Sequence, residues 1–137
     1  MNLDDVIVPG ESAAGIRVGQ RINQVLAMEG SVEAERFHGV EKYVFGAVTL
    51  WARDGLITQV GVRSPYSGKL ASGIGIGSTL GEVETAVGRV GQDGEDNLVV
   101  PTSPGWCFET EVWLRGKSAR DNRSARITEI LVFAPRN

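Results

Sequence analysis

Apolar residues recur along this chain at two different periods, and the periods divide it into elements. Ile22, Val25 and Leu26 fall at helical spacing between Gly19 and Gly30, which predicts a helix over 20–29. Leu80, Val83 and Val87 repeat the stripe between Thr79 and Gly88, and Thr79 with Glu82 three residues on forms a capping-box pattern at its start. Gly30 and Gly88 are the expected C-terminal stops, because glycine takes a left-handed cap without a Cβ penalty. Elsewhere the period is two. Lys42–Arg53, Leu56–Ser64, Trp106–Arg115 and Ala125–Ala134 read as long strands, with shorter ones at Asp5–Val8, Ile16–Val18 and Leu98–Val100. Asp54-Gly55 between two alternating runs is a type I′ hairpin signal. Residues 116–124 are a polar loop before the last strand.

The two helical segments belong to a longer internal match. Gly73, Gly77 and Gly88 follow Gly15, Gly19 and Gly30 by 58 positions, and Ile74, Ile76, Leu80 and Val83 follow Ile16, Val18, Ile22 and Val25 by the same interval. Trp113 follows Trp51 by 62, while Ile127-Thr128-Glu129-Ile130 and Pro135 follow Ile57-Thr58-Gln59-Val60 and Pro65 by 70. The added residues of the second copy fall where repeats tolerate insertions, in loops. The pattern predicts an α+β fold: a tandem repeat of helix plus antiparallel strands, about 13–65 and 71–135, joined in a single domain over 1–137. One shared antiparallel sheet then carries two helices packed on one face.

Strand parity assigns the two faces of that sheet. Val44, Val48, Leu50, Val60, Val62, Phe108, Val112, Leu114, Ile130 and Val132 form the expected helix-facing set. The opposite parity holds Tyr43, Phe45, Thr49, Trp51, Cys107, Glu109, Glu111 and Trp113, with Gln59, Arg63, Glu129, Leu131 and Phe133 from the return strands. A face without helices should be polar, yet this one mixes carboxylates with aromatics, the combination that anchors protein interfaces. Tyr43, Phe45, Trp51, Glu109, Glu111 and Trp113 are therefore the candidate partner-binding residues. The competing reading packs these aromatics beneath a loop and leaves the glutamates solvated.

Composition narrows the partner. With 137 residues, 42% hydrophobic and 23% charged, the chain is of ordinary single-domain character. A net charge of −3 lacks the clustered cations that nucleic acid demands. Asp93-Gly94-Glu95-Asp96 reads as a short solvated acidic loop. The acidic start Met1–Asp5 and the short Val6–Val8 do not fit a signal peptide, and no 18-residue apolar run exists, so a cytoplasmic setting with no membrane association is expected. The single cysteine, Cys107, excludes an internal disulfide and a multi-cysteine zinc site.

Catalytic chemistry finds little support. His38 is the sole histidine, and a Cys107–His38 nucleophile–base pair needs a juxtaposition that nothing in the sequence supplies. Glu109 and Glu111 lie on one strand, whereas glycosidase carboxylates face each other across a cleft. Gly73-x-Gly75-x-Gly77 lacks the spacing of a dinucleotide fingerprint and the lysine of a P-loop. No catalytic residue, metal ligand set or cofactor is expected.

The helix-start pattern carried by Gly15, Val18, Gly19, Ile22 and Val25, and again by Gly73, Ile76, Gly77, Thr79, Leu80 and Val83, resembles the β-lactamase inhibitory protein architecture. Over a single unit it is similar to the SmpA/OmlA-type outer-membrane assembly lipoproteins, and small α+β folds of this kind occur among bacterial toxin-immunity proteins. The resemblance implies a non-catalytic module that binds protein through its sheet face, here an immunity-type inhibitor of a toxin or enzyme with a basic site. The inhibitory protein's disulfides and the lipoproteins' lipobox have no counterpart in this chain. The alternative is a small-molecule-binding or enzymatic domain using the same concave face, and a third reading covers that face by homodimerisation.

Overall fold

The computed structural model describes residues 1–95, 97–112 and 122–135. Its local elements follow the strongest local signals. Helix α2, Leu80–Ala86, begins at a complete capping box: the Thr79 hydroxyl accepts from the Glu82 amide at 3.1 Å, and the Glu82 carboxylate accepts from the Thr79 amide at 3.0 Å. Helix α1, Ile22–Glu29, starts two residues later than expected, on Arg21, which offers no side-chain cap. Gly30 ends it at φ 91, its amide donating to the Leu26 carbonyl. Gly88 has a different role. Its φ is not left-handed, Val87 caps α2, and a Cβ on Gly88 would sit 2.8 Å from the Thr102 hydroxyl. Glycine is required there by a close approach rather than by a turn.

Among the described residues the strands are β1 Ser12–Ala13, β2 Ile16–Arg17, β3 Glu35–Phe37, β4 Val40–Phe45, β5 Val48–Arg53, β6 Leu56–Arg63, β7 Gly91–Gln92, β8 Leu98–Val99, β9 Trp106–Thr110 and β10 Ile127–Phe133. β1 and β2 form a small hairpin; the other eight make one sheet in the order β3-β4-β5-β6-β10-β9-β8-β7, every pairing antiparallel. The expected strand at Asp5–Val8 is absent. Val8 makes only a bridge to Ser12, and the segment is held by the Ile7 amide on the Lys69 carbonyl and by Tyr66. The Tyr66 hydroxyl donates to the Asp5 carbonyl and accepts from the Ala14 amide, fixing two strand-less stretches with one buried group.

Asp54 and Gly55 both take positive φ, as a type I′ turn requires, and join β5 to β6. The run Lys42–Arg53 is not one strand. Gly46, at φ 62, and Ala47 turn it into a tight hairpin in which Phe45 pairs with Val48 and Tyr43 with Leu50. Directly opposed residues share a face, so Tyr43 and Phe45 point with Val48 and Leu50 toward the core, and Val44 faces away, 47% exposed. The parity expected for Tyr43, Phe45 and Val44 is thereby inverted. The expected core position Val112 lies beyond the end of β9 and is exposed, and Leu114 is outside the described residues.

The core is continuous. Val48, Leu50, Val60, Val62, Phe108, Ile130 and Val132 from the sheet cluster with Ile22 and Val25 of α1 and Leu80 and Val83 of α2. Trp106, which the strand parity left unassigned, stacks on Phe108 at 5.2 Å and donates to the Ser103 hydroxyl. Backbone hydrogen bonds tie each helix start to a strand. Gly19 donates to Ile57, Ile57 to Gln20 and Ile22 to Gly55; correspondingly, Gly77 donates to Ile127, Ile127 to Ser78 and Leu80 to Ala125. At the centre, β6 and β10 pair through Val60↔Val132, Gly61↔Leu131 and Val62↔Ile130.

Candidate functional site

The side chains of β5, β6, β10 and β9 that point away from the core line a groove of about 860 Å³, to which neither helix contributes. Its floor is built on the central pairing. Gly61 leaves room for the Trp51 indole, since a Cβ on Gly61 would lie 2.9 Å from Trp51 Cζ3 and 3.1 Å from Leu131 Cδ2. Trp51 is half-buried there, with the Lys42 ammonium 5.9 Å from its ring centroid. Leu131 and Cys107, opposite each other on β10 and β9, are buried in the floor, and Phe133 and Gln59, opposite each other on β10 and β6, continue it. Pro101, Pro104 and Gly105 of the β8–β9 connection form one wall. That wall docks on the amino-terminal turn, where the Gly10 amide donates to the Gly105 carbonyl at 2.9 Å.

The rest of the lining is acidic. Glu109 and Glu129 oppose each other on β9 and β10, and Asp93 and Glu95 hang over the rim from the β7–β8 turn. Asp93 Oδ1 accepts from the amides of Glu95 and Asn97 at 2.8 and 3.0 Å. Arg63, paired opposite Glu129 on β6, donates to its carboxylate at 2.8 Å, and this bond raises the guanidinium's pKa. Burial first, then the carboxylates of Asp93, Glu109, Glu129 and Glu95, push the Cys107 thiol up to about 12. A thiol so protonated is no nucleophile at neutral pH. Nor does His38 approach it: His38 sits in the β3–β4 turn, and β5, β6 and β10 lie between β4 and β9. Among the described residues, no three histidine, cysteine or acidic side chains are grouped to hold a metal.

The candidate partner-binding residues are divided by this arrangement. Trp51 and Glu109 come together in the groove. Tyr43 is buried on the core side with its hydroxyl on the Glu41 carboxylate, a bond that chiefly raises the phenol's pKa, and Phe45 packs against the core beside it. Glu111 lies past the end of β9, where its carboxylate accepts from the Arg126 amide at 3.1 Å, outside the groove. Trp113 is outside the described residues. The sequence reading missed Asp93, Glu95 and the proline-flanked wall. The turn itself was legible, but its place over the sheet depends on β8 pairing with β9 through Leu98 and Phe108, a contact no local pattern announces.

Fold and site together define an α+β domain, an antiparallel sheet with two helices and an acidic, aromatic-floored groove. No protein-family model matches the chain, nor does any curated protein at a significant level. In fold it is similar to the uncharacterized protein YfeY from Escherichia coli, with a TM-score of 0.58 and 16% identity over 97% of this chain and 99% of that one. It is also similar to a cysteine-rich secretory protein from Staphylococcus aureus, with a TM-score of 0.57 and 12% identity over 97% of this chain and 49% of that one, so it spans about half of that protein's length. At such identities the likeness is one of fold alone. Among the described residues, no helix is long and apolar enough to cross a membrane.

Proposed function

We propose that this chain is a non-catalytic protein-binding module, an immunity-type inhibitor that engages a toxin or enzyme through its sheet face in the cytoplasm. The observation that carries the reading is the groove: a half-buried Trp51 and a Glu109 carboxylate with no hydrogen bond or ion pair among the described residues, on a sheet face that neither helix lines. A partly exposed tryptophan in a concavity, ringed by charge, is the usual anchor of a protein interface. The test is co-expression with the product of the adjacent open reading frame, followed by measurement of complex formation and of that product's activity. Complex formation lost on Trp51→Ala or Glu109→Lys, in variants that still melt cooperatively, supports the reading. A neighbour that neither binds nor is inhibited overturns the immunity assignment.

The resemblance to the β-lactamase inhibitory protein architecture rests on a tandem repeat, and several observations support that part of the proposal. The hydrogen bonds from Gly19, Ile57 and Ile22 recur from Gly77, Ile127 and Leu80. The strand order reads outward identically from the β6–β10 pair, whose register is unchanged when the halves are exchanged about Gly61 and Leu131. On that register Trp51, opposite Gln59, corresponds to Glu109, opposite Glu129, rather than to Trp113.

The groove's volume also favours a second reading, a small-molecule site, since ligand pockets commonly enclose about 300–1,000 Å³. Ligand-observed nuclear magnetic resonance with a fragment collection separates the two. Fragments seated on Leu131 and Cys107 that tolerate Glu109→Lys favour the small molecule.

A further inference from the structure

The groove has a direction. Along β10 the outward residues are Glu129, Leu131 and Phe133, and the span from Glu129 to Phe133 is about 13 Å at the rise of an extended strand. At one end Glu129 faces Glu109, with Asp93 and Glu95 above; at the other, Phe133 faces Gln59 and then Trp51. Among the described residues that line it there are these four carboxylates and no lysine, arginine or histidine. Like charges directly opposite on neighbouring strands repel. Arg63 bonds directly to Glu129, with its side chain 57% exposed, and acts on Glu109 only as a more distant charge, so the Glu109 carboxylate has no hydrogen bond or ion pair among the described residues. The opposite end already holds a cation at its margin, Lys42 beside Trp51. A positively charged occupant therefore gains at Glu109 and loses at Trp51, and an apolar one does the reverse.

We propose that the groove receives an extended segment of the partner protein, with a lysine or arginine side chain set beside Glu109 and Glu129. An apolar side chain four residues away lies over Phe133 and Trp51. This rests on the protein-binding reading above and adds to it the partner's chemistry and its polarity in the groove. In an extended segment, positions one, three and five share a face, so the two anchors and the residue between them descend together onto Glu129, Leu131 and Phe133. Arg63 acts as an internal competitor: it neutralises Glu129 in the free protein, and the incoming cation shares or displaces that bond.

The experiment is selection of a randomised heptapeptide library on the full chain, with counter-selection on the folded double variant Trp51→Ala/Glu109→Arg. Affinities of the enriched peptides are then measured by calorimetry and their seats by amide shift mapping. The expected peptides carry a basic residue and an apolar residue four positions apart, and shift Cys107, Glu109 and Leu131. They should lose about tenfold in affinity on Glu109→Gln and weaken with added salt. Arg63→Gln, checked by melting, should bind them several-fold more tightly because Glu129 is freed. Enriched peptides that occupy the groove but are neutral or acidic, or that bind Arg63→Gln no better, overturn this inference while leaving a protein-binding face. If no peptide seats in the groove but spermidine shifts Glu109 and Cys107, the site takes small cations, and both this inference and the protein-binding reading fall. If neither binds, both fall likewise.

Discussion

Adding a single methyl group at Gly61 tests the architecture of the groove floor. Gly61 has ordinary strand φ, so the substitution Gly61→Ala meets no backbone penalty, and strand glycine is itself about 0.5–1 kcal/mol less favourable than alanine. Against this gain stands a collision: the new Cβ would lie 2.9 and 3.2 Å from Trp51 Cζ3 and Cη2 and 3.1 Å from Leu131 Cδ2. Carbon contacts are comfortable near 3.5–4.0 Å, so the indole must lift by about 0.5–1 Å. Overpacking of this kind costs about 1–3 kcal/mol, and the half-exposed indole can yield, which places the cost near the lower bound or somewhat above it. The net expectation is a loss of about 0.5 kcal/mol, a fall in melting temperature of about 2 °C for a chain of this size. In a Trp51→Ala background the collision with the indole disappears, and Gly61→Ala should turn stabilising by a few tenths of a kcal/mol or more. Thermal unfolding of the four members of this cycle gives the coupling directly. An equal loss in both backgrounds would show that Trp51 does not lie over Gly61, and the groove floor as described would be wrong.

Other outcomes follow from the core and its ties. Val25→Asp and Val83→Asp each bury a carboxylate where wild-type exposure is 1% and 0%, so both should lose cooperative unfolding, by several kcal/mol on calorimetry. Tyr66→Phe leaves the Ala14 amide and Asp5 carbonyl without their shared partner and should cost about 1–3 kcal/mol in denaturant titration, with no effect on groove binding. The Cys107 thiol should resist iodoacetamide at pH 8 in the folded protein and react on unfolding. Its folded pKa of about 12 exceeds the ordinary 9.0, so below pH 9 it adds no pH dependence. Between those values the unfolded chain releases the proton first, and stability falls by about 1.4 kcal/mol per pH unit. Cys107→Ala should remove that share of the alkaline loss, and an unchanged profile would contradict the burial.

What the sequence revealed and what it concealed divide along the range of the determining contacts. The capping box at Thr79 and the turn at Asp54-Gly55 are local codes, and both are present. The core assignments of Val48, Leu50, Val60, Val62, Phe108, Ile130 and Val132 hold because these positions lie in stretches of regular alternation, clear of the register shifts near Ile57 and Ile127. It fails at Tyr43, Phe45 and Val44 because a two-residue turn at Gly46-Ala47 lies inside what reads as one alternating run. In an unbroken strand residues 45 and 48 face oppositely; across a two-residue hairpin they face together, so every position before the turn changes sides. Gly46 was the available signal, since an isolated glycine in a strand pattern marks a bend. Trp51 and Glu109 were legible as groove residues by parity, whereas Asp93, Glu95 and the walls were placed by pairings that only the assembled sheet defines.

The pairing of β6 with β10 has a consequence for how the molecule comes together. The Arg63–Glu129 bond spans 66 residues of chain, and the whole join between the two halves of the sheet is of similarly long range. Such contacts form late, after the loop-closure cost has been met. Until then Val60 and Val62 on one side, and Ile130 and Val132 on the other, present an unsatisfied strand edge to solvent. Each half is thus a complementary piece whose natural partner is the other half. A chain nicked at the exposed Ser72-Gly73 turn should reassemble from its two fragments, and at high concentration two chains should exchange halves into intertwined dimers. The geometry that builds the groove also makes the protein a candidate for split-reporter engineering, with reconstitution measured by whatever the groove binds.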